Sequence, residues 1–150
     1  MTDARRIYVV LPRYVEVPTR TYTHSGHVYP NHACGFTWVD QPLGRQAAQA
    51  CHVSAKLRHE RGMTTQSIAE GDLVPIYEEI TTIILACRDS REMMHIYQLL
   101  SKHKLFASLF SDLNPEAYGS EFRPVTALAV RAIPSQVVGI LDYLPLWGKS

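Results

Sequence analysis

Arg45, Gln49, His52 and Lys56 stand at i, i+4, i+7 and i+11 of the run that begins Gly44-Arg45-Gln46-Ala47-Ala48-Gln49-Ala50-Cys51-His52. In a helix that spacing lines up two cations, an amide and an imidazole along one stripe. Ala47, Ala48, Cys51 and Ala55 fall on the other side, which is small enough to lie close against a sheet. The polar stripe is then expected to face solvent. Gly44 stands where the helix begins, and free backbone N–H groups there favour an anion. A set like this suits stabilising charge on an anionic substrate. It is equally the pattern of an ordinary amphipathic surface helix.

Two further residues are candidates by position. Asp112 follows the apolar run Leu105 to Phe110 and precedes Leu113-Asn114-Pro115, so it is expected at a strand-to-loop junction, where function concentrates. An aspartate there also starts turns by bonding its own backbone. Thr126 sits in the β-branched run Val125 to Ile133, where strand packing alone accounts for it.

The helical segment resembles the G-K-x-A-A-Q-x-x-H signature of the class II peptidyl-tRNA hydrolases, the archaeal and eukaryotic type. Arg45 takes the lysine position, and Ala47, Ala48, Gln49 and His52 match in register. Downstream, Thr81 to Cys87 resembles the family's second strand and Ser90 to Lys104 its next helix. Phe106 to Asp112 is similar to the strand that ends in the family's aspartate, and Val125 to Pro134 to its last strand. Gly139 to Trp147 resembles the short closing helix and terminal Leu-x-Leu.

The resemblance implies a cytoplasmic hydrolase of translation that cleaves the ester between a peptidyl or acyl group and tRNA. It needs no cofactor and pairs as a homodimer. The implied catalytic set is Arg45, Asp112 and Thr126, with Gln49, His52 and Lys56 meeting the RNA. Asp112 and Thr126 would handle the water and Arg45 the oxyanion. The chain departs from the family in two places. Arginine keeps its proton where a buried lysine can lose it. The D-A-G-R-T loop is replaced by Asp112-Leu113-Asn114-Pro115-Glu116-Ala117-Tyr118-Gly119-Ser120, in which Glu116, with Glu121 just beyond, repels a phosphate backbone. Both departures keep open a second reading, a non-catalytic relative acting as a binding or interaction module.

Residues 14 to 42 form an insertion relative to that family. Tyr14 to Val17 and Phe36 to Val39 have the composition of paired strands. The insertion carries His24, His27, His32 and Cys34, donors suited to zinc but at a spacing that fits no standard zinc template, so a polar loop is the simpler expectation. Tyr22 and Tyr29 are candidates for stacking on bases. Basic candidates for a phosphate backbone are Arg45, Lys56, Arg58 and Arg61 on the helix, with Arg20, Lys102, Lys104 and Arg123 elsewhere.

These residues need a scaffold. At 150 residues the chain is expected to be a single domain, with 46% hydrophobic residues to fill a core. A net charge of +1 leaves nucleic-acid contact to a local patch. Three cysteines without a close pair are expected to be reduced, buried for the most part, and cytosolic. No apolar run approaches the roughly 20 residues of a membrane span, and neither signal peptide nor anchor is expected. P-loop, dinucleotide and HExxH motifs are missing, which argues against nucleotide hydrolysis, redox cofactors and zinc proteolysis.

Ile7 to Leu11 reads as a doubly covered strand ended by Pro12. A helix follows from Gly44 to Arg61, closed by Gly62, and a short helix from Thr64 to Glu70. Strands are expected at 81–87, 105–110 and 125–133. Asp89-Ser90-Arg91-Glu92 is a capping box opening a helix with the apolar stripe Met93, Ile96, Tyr97 and Leu100. Pro134-Ser135 opens a last helix. The expected fold is α/β, a three-layer α/β/α domain around a mixed sheet of about four strands, with a hairpin-like insertion.

Overall fold

Ile7-Tyr8-Val9-Val10-Leu11 begins a 13-residue strand, β1 (Arg6–Pro18), in the computed structural model of the chain, which describes residues 5–61, 64–69, 72–77 and 80–148. Next come β2 (Thr21–His24), β3 (His27–Pro30), a 3-10 turn at His32–Cys34, β4 (Phe36–Asp40) and α1 (Leu43–Glu60). The hairpin β5 (Thr64–Ala69) and β6 (Asp72–Tyr77) leads to β7 (Thr82–Asp89) and α2 (Ser90–Lys102). β8 (Ser108–Ser111), α3 (Pro115–Tyr118), β9 (Val125–Ala132) and a 3-10 turn at Pro134–Val137 complete the order.

β1 is the axis of a five-stranded mixed sheet. β7 runs parallel to it on one side, from Ile7↔Thr82 to Tyr14↔Asp89. On the other side β9 pairs antiparallel with Arg6 to Val10, and β4 pairs antiparallel with Tyr14 to Pro18. Tyr14 has partners in both β4 and β7, so these two flank β1, and β4 lies in the lane that β9 begins. β8 lies beyond β9, antiparallel to it.

Alternation assigns the faces. Ile7, Val9, Leu11, Ala127 and Ala129 meet α1, while Tyr8, Val10, Leu128, Val130 and Ala132 meet α2. The result is the expected α/β/α layering. α2 starts as expected: Asp89 Oδ1 accepts from the Glu92 N–H at 2.9 Å. The Glu92 carboxylate reaches back one residue further, to the Arg88 N–H at 2.8 Å. Met93, Ile96 and Leu100 are fully buried beneath it.

Several expectations are corrected. Pro12 does not end β1. It lies at Leu11–Arg13, between the β9 and β4 ladders, where no partner strand asks that lane for an N–H. α1 buries Gln46, Gln49, Ala50, Val53 and Leu57, not the alanine stripe; Ala48, Cys51 and Ala55 are exposed. The helix turns down the face that carries its largest apolar side chains, because burying Val53 and Leu57 is each worth about 1.5–3 kcal/mol and alanines offer less. Cys51 is consequently an exposed thiol, Cys34 is exposed in the 3-10 turn of the insertion, and only Cys87 is buried.

Thr64–Ala69 is a strand rather than a helix, paired from Thr64↔Tyr77 to Ala69↔Asp72. Threonine and isoleucine favour that state, and a partner strand lies within reach. The expected cap Gly62 and the helix end at Glu70 lie outside the described residues. The last helix is one 3-10 turn followed by irregular chain. That chain runs along the outer edge of β7, with Ala86 N–H to Pro145 C=O and Trp147 N–H to Ile84 C=O, both at 2.9 Å, and so covers a sheet edge.

The insertion is ordered. Val15↔Val39 and Val17↔Thr37 pair its base, and β2–β3 turns at Ser25-Gly26, whose φ values of 51° and 79° match the tight turn that suits a hairpin. No helix among the described residues is long and apolar enough to cross a membrane.

The buried face of α1 is open to test. Leu57→Ala is expected to lower the free energy of unfolding by about 2–5 kcal/mol, while Cys51→Ala changes it by less than about 0.5 kcal/mol; denaturant titration checks both. In native protein a thiol reagent should label Cys34 and Cys51 at once. Cys87 should react only on unfolding, because burial pushes its thiol far above the ordinary cysteine range.

Candidate functional site

Gln41-Pro42 leads from β4 into α1, and Pro42 supplies no side-chain cap. Gln46 secures the helix start from within. Its Nε2 donates to the Gln41 carbonyl at 2.5 Å, and its Oε1 accepts from Trp147 Nε1 at 2.9 Å. Both ends of a buried amide are thus satisfied, and Arg45 beside it has a fixed root.

Arg45 is half-buried, its guanidinium carbon 5.9 Å from the centre of the Tyr118 ring, a cation–π distance. Tyr118 ends the single-turn α3. Asn114 caps that turn, accepting from the Ala117 N–H at 3.1 Å, Pro115 opens it, and Gly119 closes it at φ 71°. The turn packs Tyr118 against Val15, Val17 and Val39. Its hydroxyl donates to Asp112 Oδ2 at 2.9 Å, and Gln41 Oε1 lies 3.4 Å away. A hydroxyl has one proton to give, and the shorter contact takes it. Turning the Gln41 amide over would give the phenol oxygen a donor and partner the buried, orphaned Nε2. Burial, then the Asp112 hydrogen bond and charge, raises the Tyr118 phenol well above the usual tyrosine range; Gln41 and Arg45 pull the other way. At neutral pH Tyr118 is therefore a fixed donor.

Asp112 stands half-buried at the end of β8, its N–H on the Pro124 carbonyl at 3.0 Å. No ion pair among the described residues joins it to Arg45; the two meet through Tyr118. Leu113 and Pro115, just after Asp112, line a cavity of about 580 Å³ whose other wall is the β2–β3 turn at Gly26 to Tyr29. The insertion stands beside the site, as its position in the chain predicts.

The other candidates spread along β8. Pairing slips from Phe110↔Ala127 to Ser111↔Val125, so Thr126 is the extra residue of a bulge. It is 2% exposed, and its Oγ1 donates to the Phe110 carbonyl at 3.4 Å. His52 is exposed and stacks on Phe110, ring centres 4.9 Å apart. Lys56 Nζ donates to the Leu109 carbonyl at 2.5 Å and lies 4.0 Å from Glu60. Gln49, expected on the solvent stripe, is 3% exposed with its Oε1 unpartnered. It shares the helix face that Val53 and Leu57 carry down.

Sequence reasoning passes over Tyr118 and Gln41. The bracket Asn114-Pro115 and Gly119 marks a single turn, and a tyrosine at its end is the available signal; Gln41 carries none. In the insertion, His24 and His27 pair across the hairpin, and His32 lies 5.7 Å from the Phe36 ring. Among the described residues no set of three or more His, Cys, Asp or Glu side chains is placed to hold a metal ion.

No family model matches the chain, and no curated protein does. Among solved structures the chain is similar to the Protein of Unknown Function Atu0240 from Agrobacterium tumefaciens strain C58. The two are 15% identical with a TM-score of 0.56, over 97% of this chain and 98% of that one. At that identity the likeness is one of fold, and it extends nearly end to end.

Proposed function

We propose that the chain is a peptidyl-tRNA hydrolase-like enzyme that cleaves the ester between a peptidyl or acyl group and tRNA. The observation that carries this reading is the meeting of Arg45 and Asp112 on the Tyr118 phenol. In this reading Tyr118 holds one oxygen of Asp112, and the carboxylate takes a proton from water as the water attacks the ester carbonyl. Arg45 stabilises the oxyanion that forms. The bond to the ribose oxygen then breaks, and the proton from Asp112 passes to that oxygen, leaving a free carboxylic acid and a free tRNA end. Thr126 acts through the bulge, holding the Phe110 carbonyl and so the strand end that carries Asp112. His52 and Lys56 line the side along which RNA would lie. The homodimer belongs to the same proposal; the exposed rings of Tyr22, Tyr29, Phe36 and Trp38 offer it a surface, and the mass of the protein in solution checks it.

Two observations favour the alternative, a binding module on the same fold. Arg45 cannot give up a proton, and the Thr126 hydroxyl is buried on a backbone carbonyl.

Incubating the pure protein with peptidyl-tRNA and resolving the freed tRNA separates the two. Release is expected, and Asp112→Asn should slow it by about 100-fold or more, the scale of a lost general base. Tyr118→Phe should slow it by about tenfold through the freed carboxylate. Arg45→Lys should keep or raise the rate, since lysine also donates to an oxyanion. No release with tRNA still bound would leave the binding module.

A further inference from the structure

β4 stands at an end of the sheet and pairs with β1 on one side only. Gln41 N–H donates to the Arg13 carbonyl at 2.8 Å, and Thr19 N–H to the Gly35 carbonyl at 2.9 Å. Hydrogen bonds in an antiparallel ladder fall at every second pair, so Val15–Val39 and Val17–Thr37 exchange them in between. Pro18, opposite Phe36, has no N–H to give. Phe36, Trp38 and Asp40 therefore turn their N–H and C=O groups away from β1. All three residues are exposed, and no hydrogen bond among the described residues reaches those groups.

The other sheet edges are closed by the chain itself. Pro145 and Trp147 cover β7, and Lys56 Nζ caps the Leu109 carbonyl of β8. An open edge is a template for one more strand. This one leads to the candidate site: Gln41, which follows Asp40, has its Oε1 3.4 Å from the Tyr118 hydroxyl. A peptide esterified at Arg45 and Asp112 that runs back from there along the edge is parallel to β4. It brings the alternating N–H and C=O groups that the edge lacks. Pairing of this kind reads main chain rather than sequence. Side chains have room, since Phe36 lines a cavity of about 390 Å³ with Met94, His95 and Phe122.

We propose that the open edge of β4 binds the peptidyl chain of the substrate as an added parallel strand. The inference rests on the hydrolase reading only for the source of that chain. Chain length, rather than sequence, then sets the affinity.

The test uses the full chain and a non-hydrolysable probe, adenosine carrying a run of alanines through an amide in place of the ribose ester. The longest run matches the five residues of β4. In the free protein, hydrogen exchange should be slow at the Thr37 and Val39 amides and fast at those of Trp38 and Asp40. The longest probe is expected to bind about tenfold more tightly than one with a single alanine, and to slow exchange at Trp38 and Asp40 by about tenfold. N-methylation of alternate alanines should remove the gain in one register and leave it in the other. Trp38→Pro takes away an edge N–H and no bond to β1, so it should cost most of the gain. Should that variant fail to fold, the methylated probes carry the same test. Equal affinity at all lengths overturns the proposal, as does unchanged exchange at Trp38 and Asp40 under saturating probe. Exchange there that is slow without probe and quickens on dilution gives the edge to a second copy, and overturns it too. The two readings fail separately. Release of tRNA with an unprotected edge keeps the hydrolase and overturns the added strand; protection without release keeps the peptide site and removes the hydrolase.

Discussion

The architecture depends on the way β1 is paired. One side of this strand is held by a single parallel partner, β7, from Ile7 to Tyr14. The other side is shared by two strands that approach from opposite ends, β9 as far as Val10 and β4 from Tyr14. Pro12, which has no N–H to give, sits between them. A sheet lane cannot be continuous across such a residue when it would need that donor. The chain uses the interruption as a place where loops descend: Gln41 leaves β4 there, with its N–H on the Arg13 carbonyl at 2.8 Å. The candidate site is assembled around this break, from the residue after β4, the first turn of α1 and the turn of α3.

Tyr118 converts that gap into a connected site. Its ring sits among the valines of β1 and β4, and its hydroxyl reaches the carboxylate at the end of β8. A buried phenol that must find a partner thus ties Asp112 to the insertion, while Arg45 lies over the ring's face. Arg45 and Asp112 are on the same side of the sheet without forming an ion pair. Each keeps part of its hydrogen-bonding capacity for something else.

The sequence was most legible where one signal dominated. The apolar run at Ile7 to Leu11, the box at Asp89 to Glu92 and the stripe of Met93, Ile96 and Leu100 all gave the element and its buried side, because periodicity and capping agree there. α1 was legible as a helix and misleading as a surface. Two stripes competed, and the one with the smaller residues lost to Val53 and Leu57. The short helix expected from Thr64 to Glu70 misleads because its threonines are β-branched, and the partner strand Asp72–Tyr77 decides the matter. At the site, Asp112 and Arg45 were visible as types at particular positions. Tyr118 was not, because its importance comes from a single turn and a contact across six residues rather than from any pattern.

The bond between Trp147 and Gln46 joins residues 101 positions apart in the chain. The chain has two tryptophans, and they stand in opposite circumstances. Trp147 is half-buried with its indole N–H engaged, while Trp38 is 47% exposed on the insertion beneath the Arg91 guanidinium. The protein therefore carries two optical reporters of different events. The emission of Trp38 senses whatever settles on the insertion, and that of Trp147 senses whether the last stretch of described chain is seated against the first turn of α1.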